Sequence, residues 1–460
     1  AQIRLYNRSD VTQSFMWWAN LAVAVNRDYR AIFPPDIHWA SDHAWASTSG
    51  FPIMSGDYKG ADFGAGRDVR DYNNLPMSAS FFTYNSKYDF LGGYDFGAHS
   101  GTIHIADRHV APGKKMFTWG VSPFAQAWYD KLTDDDGPYI ELMTGVFSRN
   151  QPDFSWIAPH EYRTADQYWY PIQGIGYVKN ATLDAALALD FEGDVIKLGL
   201  NVTGVFRNVR VRMSCRGQEA FSETLMYIKP GDVYLKRLPR PAGSAESDIR
   251  VDILADDGRT LVSYQPDPPT ECEIPAPFEP TPEPQQLKTN EELYFHALHL
   301  FQYRHPYLDP ADYLREALKR DPLDARCNQL MALISLSALD PESALRYCAE
   351  ADKRLRLRNP NPYDTECDYI AGVAHMWRGE YDAAYESLAA AAWRHAERSQ
   401  SCALMALIAL RQNDTARAVE HAHEALLAGG GNQLAHWELA LAARISGDDA
   451  AHARALSTLA

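Results

Sequence analysis

The sequence predicts a multidomain chain, all-β through about residue 265 and all-α from about residue 289. Three observations predict it. Aromatic residues and short strands broken by Gly, Pro and Asp fill positions 1–179; strands of regular alternation follow over 180–265; and beyond Asn290 the apolar pattern turns helical, Ala-rich and repetitive.

In the first segment, eight of the eleven Trp stand before residue 170 (Trp17, Trp18, Trp39, Trp45, Trp119, Trp128, Trp156 and Trp169), beside His38, His43, His99, His104, His109 and His160, so this part is chemically distinct. FMWWANLAV, SASFFTY, GTIHIADRHV, KKMFTWG, GPYIELMTGVF and YWYPIQGIGYV read as strands, and no helical period interrupts them. A large antiparallel β-sandwich accounts for residues 1–179. Ile3 and Leu5 already alternate like a strand in need of a partner, and no initiator Met or signal-type segment precedes them, so residue 1 is expected not to be the biological start.

Residues 180–265 form a second, accessory β-sandwich, with strands in AALALDF, VIKLGLNVTG, VRVRMSC, DVYLKRL and RVDILADDGRTLVSY. The last folds as a terminal hairpin about Asp-Asp-Gly-Arg, whose Gly tolerates positive φ. Residues 266–288 are a linker: positions 266–284 hold eight prolines and no Gly, Lys or Arg, which removes strand donors and disfavours helix. Such a segment is extended and semi-rigid, and is expected to lie against a domain.

Over 289–460, Gly372, Ala406 and Ala440 recur at one constant interval, Ala384 and Ala418 are separated by that same interval, and Gly379, Tyr381, Ala384, Leu388 and Ala391 follow G-x-Y-x-x-A-x-x-x-L-x-x-A. This resembles the tetratricopeptide repeat, whose period is about 34 residues and in which small residues let paired helices approach. An earlier repeat with Ala332, Ala344 and Ala351 stands farther ahead of its successor than that period allows, so LRLRNPNPYD carries an insertion; His452 marks a degenerate last repeat.

Lys and Arg number 44 against 60 Asp and Glu, a net charge of −16, which repels nucleic-acid phosphate. No apolar run reaches the ~18 residues needed to span a bilayer. Six cysteines without a CxxC pair suit a reducing, cytoplasmic setting rather than a disulfide scaffold or zinc ribbon. Dinucleotide, P-loop, serine-hydrolase and zincin motifs are absent, and the Asn-x-Ser/Thr matches carry no weight without a secretory signal. No cofactor is implied.

Strand alternation selects the candidate chemistry. In GPYIELMTG it places Tyr139, Glu141 and Met143 on one face, opposite Ile140 and Leu142. A carboxylate between Tyr and Met on a concave face is partly desolvated, which suits a general acid or base, so Glu141 is the first catalytic candidate. The plain alternative is a solvated or ion-paired strand residue. Glu161, beside His160, is the candidate second carboxylate, since glycoside hydrolysis uses two carboxyls about 5 to 10 Å apart. Along GTIHIADRH, Thr102, His104, Ala106 and Arg108 share a face; a Glu with His104 would equally serve aldose epimerisation, whereas the plain reading of His104 is a core-edge histidine bonded to backbone. Trp18 with Asn20 is a sugar-type pairing of flat apolar ring and amide, though such stripes are more often packing; Trp17 and Trp119 extend the stacking platform, and Asp95 and Arg108 complete the substrate-binding set. Asp95, His99, His104 and His109 match no established zinc or calcium spacing, so no metal is expected.

FMWWANLAV, FPPD, GGYDFGAHSGTIHIADRH, GKKMFTWG, LTDDDGPYIELMTG and YWYP together resemble a largely uncharacterised bacterial family similar to galactose-mutarotase-like β-supersandwich proteins that carry tetratricopeptide repeats behind the sandwich. The resemblance covers about residues 1–180 and the repeats. It implies an all-β supersandwich and a sugar ligand, but not a reaction type. Such a sandwich normally takes about 250 residues, so an N-terminal layer is expected to be missing from residues 1–179.

Two functions follow as expectations. One is a carbohydrate-active enzyme, a glycoside hydrolase ahead of an aldose epimerase, with Glu141, Glu161 and His104 catalytic and Trp17, Trp18, Asn20, Asp95, Arg108 and Trp119 binding substrate. The other is a non-catalytic carbohydrate-binding scaffold. In both the partner is a mono- or oligosaccharide, with self-association or a protein partner through the repeats, and neither nucleic acid nor membrane.

Overall fold

The computed structural model describes residues 1–43, 47–83, 85–146 and 155–459. Its Cα framework divides into two compact units: Ala1–Ile3, Met16–Asp153 and Ala165–Glu279 form the first, and Arg4–Phe15, Phe154–Thr164 and Pro280–Ala460 the second. Residues 4–15 and 154–164, expected within the first sandwich, thus belong to the helical unit.

The first unit is a stack of antiparallel sheets. A six-stranded sheet runs in the order Trp18–Ala24, Tyr139–Gly145, Gly113–Thr118, Ala79–Thr83, Trp39–Ser41 and Thr48–Gly50. Tyr84 and Phe147, placed at strand ends by the sequence, lie outside the described residues. A second sheet of this unit runs in the order 165–173, Ser100–Ala106, Phe90–Asp95 and Tyr29–Ile32. Because side chains alternate, each strand contributes every second residue to a given face. Phe81, Met116, Ile140 and Leu142 of the six-stranded sheet meet Ala31, Phe33 and Leu91 in one buried core. Each such large apolar side chain contributes roughly 1.5–3 kcal/mol on burial. The opposite face of this second sheet, with Ile32, Phe90, Ile103, Ile105 and Ile172, packs on Ala186 and Ala188 of the accessory sandwich.

The accessory sandwich has two four-stranded sheets closed over Leu187, Leu189, Leu198 and Leu200 on one side and Val209, Val211, Val251 and Ile253 on the other. Its last hairpin pairs Val251 with Tyr264 and Ile253 with Val262, with Gly258 at φ 84° in the turn. One strand absent from the sequence reading, Gln218–Ile228, pairs with Phe206–Cys215. A second difference is helix α1 (Pro123–Leu132), in a segment where no helix was predicted. Ser122 caps it by accepting from the Ala125 N–H at 3.2 Å, Pro123 occupies its first turn, and Ala125 and Tyr129 are its buried residues. The proline-rich stretch lies on this unit as far as residue 279: Thr48 Oγ1 donates to the Pro275 carbonyl at 2.6 Å, and Lys87 pairs with Asp267 at 2.6 Å.

Among its described residues the second unit contains five helix pairs: α2 (Asn290–Tyr303) with α3 (Pro310–Arg320), α4 (Ala325–Ser337) with α5 (Pro341–Leu355), α6 (Glu366–Trp377) with α7 (Tyr381–Ala391), α8 (His395–Arg411) with α9 (Thr415–Ala428), and α10 (Gln433–Ile445) with α11 (Asp449–Ser457). This is a tetratricopeptide-type solenoid. Gly372, Ala406 and Ala440 recur in α6, α8 and α10, and Ala384 and Ala418 in α7 and α9. A Cβ on Gly372 would stand 2.7 Å from Leu388 Cγ, which is why the first helix of that pair carries glycine there. The inserted loop falls between α5 and α6, and α2 and α3 add a pair ahead of the first repeat visible in the sequence. Among the described residues no helix is long and apolar enough to cross a membrane.

Residues 4–15 and 154–164 are built into this unit. Gln13–Phe15 and Ser155–Ile157 pair as a two-stranded ribbon, and Val11 is buried in the helical core. Asp10 is held at three points: its carbonyl accepts from Tyr369 Oη at 2.6 Å, and its carboxylate accepts from Trp377 Nε1 at 2.9 Å and meets His160 Nε2 at 2.9 Å. Burial alone would raise the Asp10 carboxyl, yet the hydrogen bonds from His160 and Trp377 hold it below the ordinary carboxylate range. Arg304 donates to Ser14 Oγ at 2.7 Å and to Gln13 Oε1 at 3.0 Å.

Candidate functional site

The pleat that sends Ile140 and Leu142 into the core sends Tyr139, Glu141 and Met143 to the other face of the six-stranded sheet, where Met143, Phe82 and Lys115 are buried and Tyr139, Glu141 and Trp18 are half-buried. Register then fixes their neighbours: Glu141 lies opposite Ala22 on one side and Phe117 on the other, and Met143 lies between Asn20 and Lys115. Asn20 Nδ2 donates to Glu141 Oε2 at 2.9 Å. Trp18, two residues before Asn20 and on the same face, lies along the sheet over two glycines. A Cβ on Gly145 would stand 2.5 Å from the ring and one on Gly113 2.9 Å from it, so any larger residue would lift the indole.

Lys115 and Phe82 complete this face. The Lys115 ammonium stands 4.5 Å from the Phe82 ring centroid and 5.8 Å from that of Trp18, while Phe82 meets Trp18 and His43 edge-on at 5.7 and 4.9 Å. Desolvation lowers Lys115 to about 8, opposed by the Glu141 charge. Desolvation and then the Lys115 charge lower His43 to about 4, so its imidazole is neutral at pH 7. Toward the far end of the face, Phe117 meets Trp119 at 5.1 Å; Trp119 stacks on Trp128 of α1 at 4.8 Å and 9°, and donates from Nε1 to Tyr139 Oη at 3.3 Å. The result is a polar centre of Asn20, Glu141 and Lys115 flanked by aromatic rings.

The structure brings Trp18, Asn20, Glu141 and Trp119 onto this one face and sends the other candidates elsewhere. His104 is a correction to the expected cluster: it points into the sandwich interior, fully buried, with Nε2 at 3.2 Å from Gln167 Oε1 and 3.1 Å from Thr144 Oγ1 and its ring stacked on Trp169 at 4.3 Å. Thr144 projects from the face opposite Glu141, so His104 and Glu141 occupy opposite sides of the six-stranded sheet. Burial lowers His104 to about 4, as for a neutral core histidine. Glu161 belongs to the helical unit, where Oε2 accepts from the Ala158 N–H at 2.8 Å and Oε1 from Arg163 at 3.1 Å. Its carboxylate secures a turn. Asp95 closes another turn, accepting from the Gly97 and Ala98 N–H groups at 2.8 and 2.9 Å and from Asn26 at 2.6 Å. Arg108 pairs with Asp89 at 3.2 Å, and Trp17 stands half-buried just before its strand.

Lys115, Phe82 and His43 escaped the sequence reading. The signal for Lys115 was present, since two adjacent lysines in a strand must face opposite ways. Phe82 joins only through strand order, which no local pattern encodes.

Comparison with solved structures finds likenesses at low identity. A TPR-domain-containing protein from Parabacteroides distasonis is 13% identical, with a TM-score of 0.32, covering 99% of this chain; the chain spans 63% of that protein's length. MamA is 15% identical over 36% of this chain and 87% of its own, with a TM-score of 0.31, and pilF of Pseudomonas aeruginosa is 18% identical over 36% and 72%, with a TM-score of 0.32. Two family models match the β region: residues 180–264 match the second domain of YphG-like proteins, and residues 1–172 match a domain of unknown function, DUF5107.

Proposed function

We propose that the chain is a carbohydrate-binding scaffold, in which the side of the six-stranded sheet that carries half-buried Trp18 and Glu141 and exposed Asn20 takes a mono- or oligosaccharide and the helical repeats hold a protein partner. The observation that carries this reading is the Trp18 ring laid along the sheet beside the Asn20–Glu141 pair and the Lys115 ammonium. A pyranose offers one apolar C–H face and a rim of hydroxyls; an indole plane suits the first, and an amide, a carboxylate and an ammonium suit the second. Hydrolysis of a glycosidic bond uses a second carboxyl close to the first, whereas among the described residues the hydrogen-bond partner of Glu141 is the Asn20 amide. The net charge of −16 favours neutral over polyanionic glycans.

The test is a panel of neutral mono- and oligosaccharides, read by calorimetry and by product analysis. Trp18→Ala is expected to weaken binding at least about tenfold, the loss of ~1.4 kcal/mol or more of ring contact, and Glu141→Gln to weaken it without any product being formed by the parent protein. Sugar release or anomer interconversion that Glu141→Gln abolishes would replace this reading with the enzymatic one.

A further inference from the structure

The groove between the second helices of the last two pairs is open where the one before it is bridged. Between α7 and α9, Tyr385 Oη and His421 Nε2 meet at 2.8 Å with their ring centroids 5.7 Å apart. One repeat period on, the corresponding positions in α9 and α11 hold Val419 and Ala455, so neither ring is present. A cavity of about 510 Å3 stands there, floored by α10 and walled by α9 and α11, with Val419, Leu426, Leu439, Ala443, Ala451 and Ala455 as its apolar surface. The charge changes with the shape. His423, His436 and Arg454 line the cavity at positions that one period earlier hold Ala389, Cys402 and Glu420. Thr458 Oγ1 and His436 Nδ1 meet at 3.3 Å, and the Asp448 N–H donates to the Ala443 carbonyl at 2.9 Å, which fixes how α11 runs against α10. His436 and Thr458 thus mark one end and Ser446 and Asp448 the other, about 15 Å apart along α10. Asp448, the only carboxylate of the lining among the described residues, is engaged as the α11 cap, accepting from the Ala451 N–H at 2.9 Å.

We infer that this groove binds a medium-chain carboxylate of fatty-acid type, its alkyl tail along Leu439, Ala443 and Ala451 and its head at His423, His436 and Arg454. The head is anionic because Arg454 offers donors alone, in a planar fork that matches a carboxylate, and each imidazole can add an N–H. An alkyl tail fits better than an extended peptide, because helical walls have already paired their own backbone groups and leave a second backbone nothing to bond. A partner helix is too thick: 510 Å3 spread over about 15 Å is a passage about 6 Å wide, against ~10–12 Å for a helix with its side chains. The inference goes beyond the function proposed above and does not depend on it.

The experiment titrates the full chain with octanoate, with octylammonium to reverse the sign of the head and butanoate to shorten the tail, read by calorimetry. Octanoate is expected to bind at least tenfold more tightly than either comparison. Val419→Tyr with Ala455→His, the residue pair that bridges the groove one repeat earlier, is expected to weaken octanoate at least tenfold with the melting temperature unchanged or raised. Arg454→Gln, at an exposed position, leaves the cavity open and is expected to weaken octanoate at least threefold without weakening octylammonium; it carries the test by itself if the double variant does not fold. Octylammonium or butanoate bound as tightly as octanoate would overturn the choice of an anionic amphiphile. Octanoate affinity unchanged in either folded variant would overturn the assignment to this groove, and no octanoate binding by the parent chain would overturn both.

Discussion

Lys114 and Lys115 stand side by side in one strand, and the pleat sends them in opposite directions. Lys115, itself largely buried, reaches the face shared with Phe82, Trp18 and Glu141. Lys114 goes inward, fully buried, with no hydrogen-bond partner for its ammonium among the described residues, and burial lowers it to about 8. Its ordinary value of 10.5 holds in the unfolded chain, so between pH 8 and 10.5 the unfolded state binds more protons and stability rises with pH. Below pH 8 the buried charge costs on the order of 3 kcal/mol. Lys114→Met is therefore expected to stabilise the first unit at pH 7 by about 1–3 kcal/mol, an advantage that shrinks as pH approaches 10; denaturant midpoints of both proteins across that range check it. The same residue scale explains what was legible. Period-two alternation put Trp18 with Asn20 and Glu141 with Tyr139, and the structure keeps both pairs on one face. It also grouped His104 with a polar face, but alternation does not say which face is inside, and here the polar group of His104, Thr144 and Gln167 is interior.

At the scale of elements, the repeats were the most readable part because one small residue per turn of the array is a steric requirement. Gly372 packs where Leu388 leaves no room for a methyl group. Gly372→Ala is expected to destabilise the helical unit by about 1–3 kcal/mol, seen as a lowered melting temperature of that unit, whereas alanine is already native at the equivalent Ala406 and Ala440. Helix α1 was missed although Ser122-Pro123 is an N-terminal signal, because so short a helix between strands offers too few turns for its period to stand out. The strand Gln218–Ile228 was missed for the opposite reason: its burial pattern is largely exposed, so it has little apolar alternation to read.

At the scale of the whole molecule, sequence position misled. Residues 4–15 and 154–164 are flanked by β sequence and read as part of the sandwich, yet they complete the helical unit through partners very distant along the chain, as Asp10 does with Tyr369 and Trp377. No local pattern encodes so remote a partner. Asp10→Ala would leave Trp377 Nε1 and His160 without their acceptor and is expected to cost the helical unit about 2 kcal/mol, read from its thermal midpoint at pH 7. Because the Asp10 carboxyl is held below 3.8, its contribution is present above that pH and is lost as pH falls below it; the variant and the parent should converge in acid.

That arrangement imposes an order of events on the nascent chain. Val11 leaves the ribosome long before Asn290, the first residue of α2, because the whole of the β region is translated between them. At ~5–20 residues per second, roughly 14–55 s of synthesis separate the end of that early segment from the start of the helices that bury it. Through that interval the amino-terminal segment is an unsheltered ligand awaiting its receptor, and a recombinant version of the helices begun at residue 289 would be born without it.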